Sequence, residues 1–193
     1  MKEYGAEGEV IMARLIALTV AVVVSLCVAP KLIEAQEDRR ESLRGLVGVG
    51  VVVEKLRHYA EREGLTTYSL QTIVEFRLRQ AGIRVGRDKE RWKMPGSPYL
   101  YLNVNALKSD VTDVYAVSMR LELKEMVRPD RDPTVKQFAV TWMALPTVAI
   151  VPARDLHLVR ESVKEMVDEF INAYLAANPK KERLSPQYIP PRR

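Results

Sequence analysis

The segment Val114–Lys124, VYAVSMRLELK, has the clearest pattern in the sequence. Large apolar residues alternate with small or polar ones, which is the period of a β-strand with one buried face. We therefore predict an antiparallel strand here, with one dry face and one wet face. The dry face consists of Tyr115, Val117, Met119, Leu121 and Leu123, and the wet face carries Arg120, Glu122 and Lys124.

Two further strands are predicted on either side of this segment. Tyr99–Lys108 (YLYLNVNALK) follows Pro98 and leads into the turn-forming residues SDVTD at 109–113. Lys136–Leu145 (KQFAVTWMAL) follows the turn RPDRDPT at 128–134 and is ended by Pro146. Trp142 in this strand is predicted to belong to the core.

Upstream, Leu46–Leu56 (LVGVGVVVEKL) predicts the first strand, because valine occupies every second position from Val47. Gly48 and Gly50 lie between the valines and indicate that another part of the protein packs close to that face. A phosphate loop is not predicted, since no Gly-Lys-Ser/Thr sequence follows the glycines.

Two helices are predicted from apolar residues at helical spacing. Thr66 or Thr67 can cap the first helix, and Gly82 is suited to its end. Asp155 can cap the second, which ends at Asn178–Pro179. The apolar stripes are Leu70, Ile73, Val74, Leu78 and Ala81 in the first helix, and Leu156, Val159, Val163, Met166, Val167, Phe170, Tyr174 and Leu175 in the second.

The resulting element order is β-α-β-β-β-α. Because a strand–helix–strand unit is right-handed and parallel, the first two strands are predicted to run parallel in one sheet. The remaining turns are short enough for an antiparallel meander. We therefore predict an α+β fold over residues 36–178, a two-layer sandwich in which two helices cover one face of a four-stranded mixed sheet.

The N-terminal part of the chain is predicted to be an export signal. Leu15–Ala29 (LIALTVAVVVSLCVA) has no charged residue and would span about 22 Å as a helix, less than the ~30 Å hydrocarbon core of a membrane. It follows Arg14 and precedes the charged residues QEDRR at 36–40, as in secretory signal peptides. Because residues 1–11 contain three glutamates, Met12 is the better candidate for the true start.

We expect cleavage after Ala35, which defines a signal peptide over residues 1–35 and a periplasmic or secreted protein. Three alternatives stay open: an uncleaved inner-membrane anchor, a buried helix of a cytosolic protein, and a lipoprotein signal at Cys27. The lipoprotein alternative lacks the small residue that should precede the cysteine, since Leu26 stands there. Cys27 is the only cysteine, so a cleaved chain contains no disulfide.

Residues 179–193 (PKKERLSPQYIPPRR) are predicted to form a disordered, basic, proline-rich tail. From Gln36 onward the chain has 27 basic and 21 acidic residues, and most of this excess lies after Asn178. The domain is therefore nearly neutral, which argues against nucleic-acid binding. The tail is either solvated or in contact with an anionic envelope surface, and its candidate contact residues are Lys180, Lys181, Arg183, Arg192 and Arg193.

A search for catalytic residues gives no motif. His58 lies in a polar stretch and His157 in the first turn of the second helix, neither with a partner at the spacing of a metal or nucleophile motif. Asp130 and Asp132 are typical of a turn, since a calcium loop uses more oxygen ligands and a glycine. We therefore expect a protein that is not an enzyme and has no metal or cofactor.

Trp92 is the best candidate for a contact residue. It lies among cationic residues, with Arg91 and Lys93 as its neighbours, and an aromatic ring among cations suits a protein partner or an anionic ligand. The alternative is that Trp92 folds back over the core.

Three stretches resemble a family of uncharacterised exported bacterial proteins: VEFRLRQAGI (Val74–Ile83), SPYLYLNVNAL (Ser97–Leu107) and VDEFINAYLAANP (Val167–Pro179). The element order over about residues 45–178 is similar to that of envelope α/β sandwiches. These include the lipopolysaccharide-assembly lipoprotein, auxiliary lipoproteins of ABC transporters and the N-terminal domain of the Tol translocation protein. A shared fold of this kind does not by itself imply a shared function.

Three functions are consistent with the sequence. The first is an exported interaction module in cell-envelope assembly or transport, which binds an envelope protein or an anionic envelope surface, for instance by pairing of an edge strand. The second is a carrier that holds a lipid or other apolar ligand between the helices and the sheet. The third is an enzyme that uses scattered carboxylates.

Overall fold

A computed structural model describes residues 40–179. The predicted signal peptide and the basic residues of the predicted tail lie outside the described residues. Ser42–Pro179 belongs to one compact unit. None of the helices within residues 40–179 is long and apolar enough to cross a membrane.

The structure confirms the α+β fold class. Within the described residues there are five strands and four α-helices. The strands are β1 (Gly50–Val53), β2 (Tyr99–Lys108), β3 (Val114–Val127), β4 (Gln137–Met143) and β5 (Thr147–Pro152). The helices are α1 (His58–Arg62), α2 (Thr67–Gln80), α3 (Asp88–Arg91) and α4 (Leu158–Ala177).

All five strands belong to one mixed sheet in which β3 is the longest member. The order is β1-β2-β3-β4, with β1 parallel to β2 and the other pairs antiparallel. β5 pairs with the first half of β3, and β4 pairs with its second half. The parallel pairing of β1 and β2 agrees with the predicted crossover.

The dry face predicted for β3 is confirmed, because all five of its large apolar side chains are buried. The helices α2 and α4 pack over this face and bury most of the predicted apolar stripes, while Ile73, Ala81 and Tyr174 are only partly buried. Trp142 of β4 is also buried, and its ring lies edge-on to that of Phe170 in α4 with 5.1 Å between centroids. Leu175, predicted as part of the α4 stripe, is exposed instead.

The boundaries of α2 follow from local hydrogen bonds. The Thr66 hydroxyl accepts a hydrogen bond from the Ser69 N–H at 3.1 Å, which caps the first turn. At the other end Gly82 has a φ of +79°, and its N–H donates to the Arg79 carbonyl. The Ile83 N–H donates to the Leu78 carbonyl at 2.9 Å, which completes a Schellman motif.

The start of α4 differs from the prediction. Asp155 does not cap the helix, because it lies in a 3₁₀ turn (Ala153–Asp155) and its carboxylate is near Arg154. The helix begins at Leu158 without a side-chain cap. Its predicted end at Asn178 is confirmed, and the Asn178 amide donates to the Leu43 carbonyl at 2.8 Å, which holds the chain before β1 against the helix.

Four further differences concern the upstream elements and the sheet. β1 is shorter than predicted and begins at Gly50, opposite the first residue of β2, and Val47 before it is exposed. The polar stretch before α2 and the charged loop after it each contain a short helix, α1 and α3. β5 was not predicted, because Pro146 stands directly before it and Pro152 is its last residue.

Candidate functional site

The candidate site is the face of the sheet that α2 and α4 do not cover, called the open face below. Strand register arranges its side chains in rows. One row joins Gly50, Tyr99, Lys124 and Val140 across four strands. Farther along the strands, Asn105 lies beside Ser118 and Val148, and Leu107 beside Ala116 and Ile150. The open face thus has an aromatic end, a polar centre and an apolar end.

The aromatic end consists of Arg91, Trp92, Tyr99 and Phe138. The Arg91 guanidinium carbon lies 4.4 Å from the centre of the Trp92 ring and 4.8 Å from that of Tyr99. Phe138 meets both rings edge-on, with centroid distances of 6.0 Å to Trp92 and 5.5 Å to Tyr99. Trp92 remains 56% exposed and Phe138 38% exposed, so the cluster faces solvent while its members hold one another in place.

The segment that carries Trp92 is seated by two close approaches to glycine. A Cβ atom on Gly50 would lie 2.5 Å from the Arg91 Cδ, so the arginine stem crosses β1 only because this position has no side chain. A Cβ on Gly86 would lie 2.7 Å from the Cε of Met94, which is buried. The two closely spaced glycines therefore have different neighbours: Gly50, the first residue of β1, makes room for Arg91, and Gly48, before the strand, packs against the backbone of Arg84.

The structure brings two of the three predicted contact residues together. Arg91 and Trp92 are in direct contact, and Lys93 is exposed beside them. Trp92 does not fold over the core, since it is exposed; Met94 is the buried residue of this segment. The other predicted contact residues, Lys180, Lys181, Arg183, Arg192 and Arg193, lie outside the described residues.

The polar centre is built around Glu54, which follows β1. One oxygen of its carboxylate accepts hydrogen bonds from the Tyr101 hydroxyl and the Asn103 amide. The hydrogen bond from Tyr101, supported by that from Asn103, lowers the pKa of Glu54 below its ordinary value, and the same bond raises the pKa of Tyr101. The Asn105 amide donates to Asn103 at 2.7 Å and extends the network along β2.

The charged residues of β3 complete the polar centre, and they correct one prediction. Glu122 was expected on a wet face but is buried, between the Lys124 ammonium at 3.3 Å and the Arg120 guanidinium at 4.0 Å. The Lys124 ammonium also lies 3.8 Å from the centre of the Tyr101 ring. The long side chains of the two neighbouring cations cover the shorter glutamate, so the charges compensate one another within the face.

The apolar end consists of Leu107, Val148 and Ile150. Val148 is 79% exposed and Ile150 is 68% exposed, although both are β-branched residues in a strand. No residue from 137 to 153 is charged, so the whole outer edge formed by β4 and β5 is neutral. An exposed apolar strand of this kind is unusual for a sheet edge.

A polar cleft lies beside the aromatic end, between α2 and the outer edge of β1. Its volume is about 370 Å³. It is lined by Gly50, Val51, Gln71, Glu75, Arg79, Val85, Gly86, Arg87 and Arg91. Burial opposes the charge on Glu75, but hydrogen bonds from Gln71 and Arg79 together lower the pKa of this carboxyl. With three arginines and one carboxylate, the cleft is suited to an anionic group on a bound molecule.

The histidines show no catalytic arrangement. His58 and His157 are exposed at the starts of two different helices, and the His157 ring lies 3.3 Å from the Arg154 carbonyl. Asp132 lies in the predicted turn, where its carboxylate accepts hydrogen bonds from Thr134. Within residues 40–179 no group of three or more His, Cys, Asp or Glu side chains could hold a metal ion.

Sequence reasoning missed several residues of the site. Tyr99 and Phe138 belong to strands that the sequence predicted, but nothing local shows that they converge with Trp92. The sequence likewise places Glu54 in the first predicted strand and indicates no role for it, because its partners Tyr101 and Asn103 lie more than 40 positions away. The absence of charge between residues 137 and 153 is a sequence signal that could have marked the sheet edge.

Comparison with known proteins identifies neither a family nor a function for this chain. No protein-family model matches the chain, and no curated protein matches it. Among solved structures, the protein is similar to a PelC dodecamer from Paraburkholderia phytofirmans that carries one substitution. The two share 15% sequence identity over 67% of this chain and 87% of that one, with a TM-score of 0.36. A likeness at this level does not indicate a common function.

Proposed function

We propose that the protein is an exported, non-catalytic interaction module of the bacterial cell envelope, which acts by contact with another envelope protein in assembly or transport. Export is supported by the uncharged run Leu15–Ala29 and the charged residues that follow it. Protein contact is supported by one observation above the others, namely the ordered and solvent-facing aromatic end of the open face.

The aromatic end has the composition and the order of a binding hot spot. Tryptophan, tyrosine and arginine are the residues that dominate binding energy at protein interfaces. Trp92 and Phe138 are exposed yet held by ring contacts, so they lose little side-chain freedom when a partner covers them. A loose surface tryptophan would lack this advantage.

Charge near the aromatic end indicates the chemistry of the partner. Arg87, Lys89, Arg91 and Lys93 lie within seven positions of one another, against Asp88 and Glu90. A complementary surface therefore presents an apolar side chain to the rings and acidic residues around it. This combination favours an acidic protein surface over a purely lipidic one.

Removal of the Trp92 ring tests the proposed contact. The variant Trp92→Ala should fold as the unchanged protein does but recover at least tenfold less partner after cross-linking in the periplasm, as measured by quantitative mass spectrometry. Phe76→Ala is the matched control, since Phe76 is an exposed aromatic residue on α2, away from the open face. Equal recovery with Trp92→Ala and with the unchanged protein would remove Trp92 from the contact.

Cell fractionation tests the proposed export. The protein should appear in the periplasmic fraction, and a chain that starts at Met12 should be exported as efficiently as the full chain. Recovery from the cytosol with residues 1–35 intact would contradict the export that the proposed function requires. Loss of export on deletion of residues 1–11 would contradict only the assignment of Met12 as the true start.

A further inference from the structure

We propose that β5 pairs edge to edge with β5 of a second copy of this chain, in antiparallel orientation, so that two five-stranded sheets become one. This inference goes beyond the proposed function, because it uses the apolar end of the open face and the neutral edge. It does not involve Trp92 or the aromatic end.

The hydrogen-bond pattern shows which backbone groups of β5 are free. The Ala153 N–H donates to the Asp113 carbonyl at 3.0 Å. By the strand register, Val151, Ala149 and Thr147 are the next residues whose backbone N–H and C=O groups point toward β3. Because antiparallel strands alternate in this way, the N–H and C=O groups of Val148 and Ile150 point away from β3. β5 has no pairing on that side among the described residues.

Two prolines limit the free edge to a short window. Pro152, like Val148 and Ile150, has its backbone directed away from β3, so it removes no hydrogen bond to that strand. Pro146 directly precedes β5. Neither proline offers an N–H to a neighbouring strand. The free donors are therefore the two N–H groups of Val148 and Ile150, in a window of five residues between the prolines.

The edge lacks the charges that normally prevent pairing. Sheet edges are usually protected by lysine or by inward-pointing charged residues, whereas residues 137–153 contain none. Val148 and Ile150, whose backbone groups point away from β3, also have exposed apolar side chains, 79% for Val148 and 68% for Ile150. A strand laid against this edge would cover both the free backbone groups and these side chains.

The window is complementary to itself, which identifies a second copy as the partner. In an antiparallel pair centred on Ala149, Val148 of each copy lies opposite Ile150 of the other, so each of the four free N–H groups meets a carbonyl. Ala149 then lies opposite its own counterpart across a two-fold axis, as in isologous dimers. Two neutral strands meet without charge repulsion, and β-branched residues face one another, which is a favourable cross-strand pair.

A disulfide test examines the register. In this pairing Ala149 occupies a non-hydrogen-bonded position, where opposite Cα atoms are about 4.5 Å apart, within the range of a disulfide. In the full chain carrying Cys27→Ala, the variant Ala149→Cys should form a disulfide-linked dimer under mild oxidation. Thr147→Cys is the control, since its counterpart would lie about 13 Å away along the strand. Equal cross-linking of the two variants would overturn the register and the proposal.

A charge at the edge tests the pairing without cysteine. Val148→Lys brings lysines onto the shared edge and should raise the dimer dissociation constant at least tenfold in analytical ultracentrifugation, with an unchanged circular dichroism spectrum. Tyr68→Lys, at an equally exposed position on α2, should leave the constant unchanged. A protein that stays monomeric at high concentration, or a dimer that Val148→Lys does not weaken, would contradict the proposal. Trp92→Ala should leave the dimer intact, so this result is separable from the proposed partner contact.

Discussion

At the scale of single residues, Glu54 determines how the polar centre of the open face responds to pH. The hydrogen bond from Tyr101 is the largest cause of its lowered pKa. A carboxyl group with a lowered pKa in the folded protein stabilises the fold at neutral pH, and this contribution is lost as the pH falls through the folded-state pKa. Stability should therefore decrease below about pH 4.5, the ordinary pKa of the group.

Tyr101→Phe tests this explanation, because it keeps the ring beneath Lys124 and removes only the hydroxyl donor. The pKa of Glu54, followed by carboxyl carbon NMR, should rise toward its ordinary value, and urea denaturation should depend less on acidic pH. Tyr68→Phe, at an exposed tyrosine on α2, should change neither quantity. An unchanged Glu54 titration in Tyr101→Phe would show that Asn103 and the nearby cations lower the pKa without Tyr101.

At the scale of single elements, two glycines have different structural roles that substitution can separate. Gly82 ends α2 with φ at +79° and no atom near an added Cβ, so Gly82→Ala should cost about 1 kcal/mol from backbone strain alone. At Gly50 an added methyl group meets the Arg91 Cδ. Gly50→Ala should displace Arg91 and shift the Trp92 ring resonances in NMR spectra, which Gly82→Ala should leave in place.

The two long helices are joined by an ion pair in which two guanidinium nitrogens of an arginine are engaged. Arg77 of α2 donates to both carboxylate oxygens of Asp168 in α4, through Nε at 2.8 Å and through Nη2. The pair is partly exposed, so solvent screening reduces its contribution to about 0.5–1 kcal/mol. A double-mutant cycle with Arg77→Ala and Asp168→Ala should give this coupling, and the value should fall in 1 M salt. Zero coupling at low salt would show that packing alone joins the helices.

The sequence predicted the elements whose pattern is local. The alternation in β3 identified its buried face, and Thr66 and Gly82 marked the ends of α2 because their hydrogen bonds reach only three to five residues. The prediction that Asp155 caps α4 was wrong, because Asp155 lies in a 3₁₀ turn that precedes the helix. β5 was not predicted because Pro146 stands directly before it and Pro152 is its last residue. Only the pairing with β3 shows that the backbone of Pro152 points away from that strand.

The candidate site was less predictable than the fold, for a physical reason. Trp92 and Arg91 could be selected because they are neighbours in sequence. Phe138 joins them only through the register of β3 and β4, and this register shifts at a bulge between Leu123 and Lys124. Burial of Glu122 similarly depends on how two cations fold over it. Convergence of distant residues on one face is a property of the sheet that no single segment encodes.

At the scale of the whole domain, one continuous core within residues 40–179 connects the sheet to the helices. Buried residues from Leu43 before β1 to Phe170 in α4 belong to a single cluster. Trp142 on β4 contacts Phe170, so even the edge of the sheet is tied to the helix layer. A small domain with one such core is expected to unfold in one cooperative transition.

Trp142 provides a probe of that transition, because it is buried while Trp92 is exposed. In the variant Trp92→Phe, urea unfolding followed by Trp142 fluorescence should coincide with unfolding followed by far-ultraviolet circular dichroism. Adding Phe170→Ala, which leaves a cavity beside Trp142, should lower the free energy of unfolding by about 3–5 kcal/mol, a large share of the ~5–15 kcal/mol typical of a domain. Phe76→Ala, on the exposed side of α2, should change it by less than about 0.5 kcal/mol. If fluorescence is lost at a lower urea concentration than circular dichroism, the β4 edge unfolds separately and the core is not one unit.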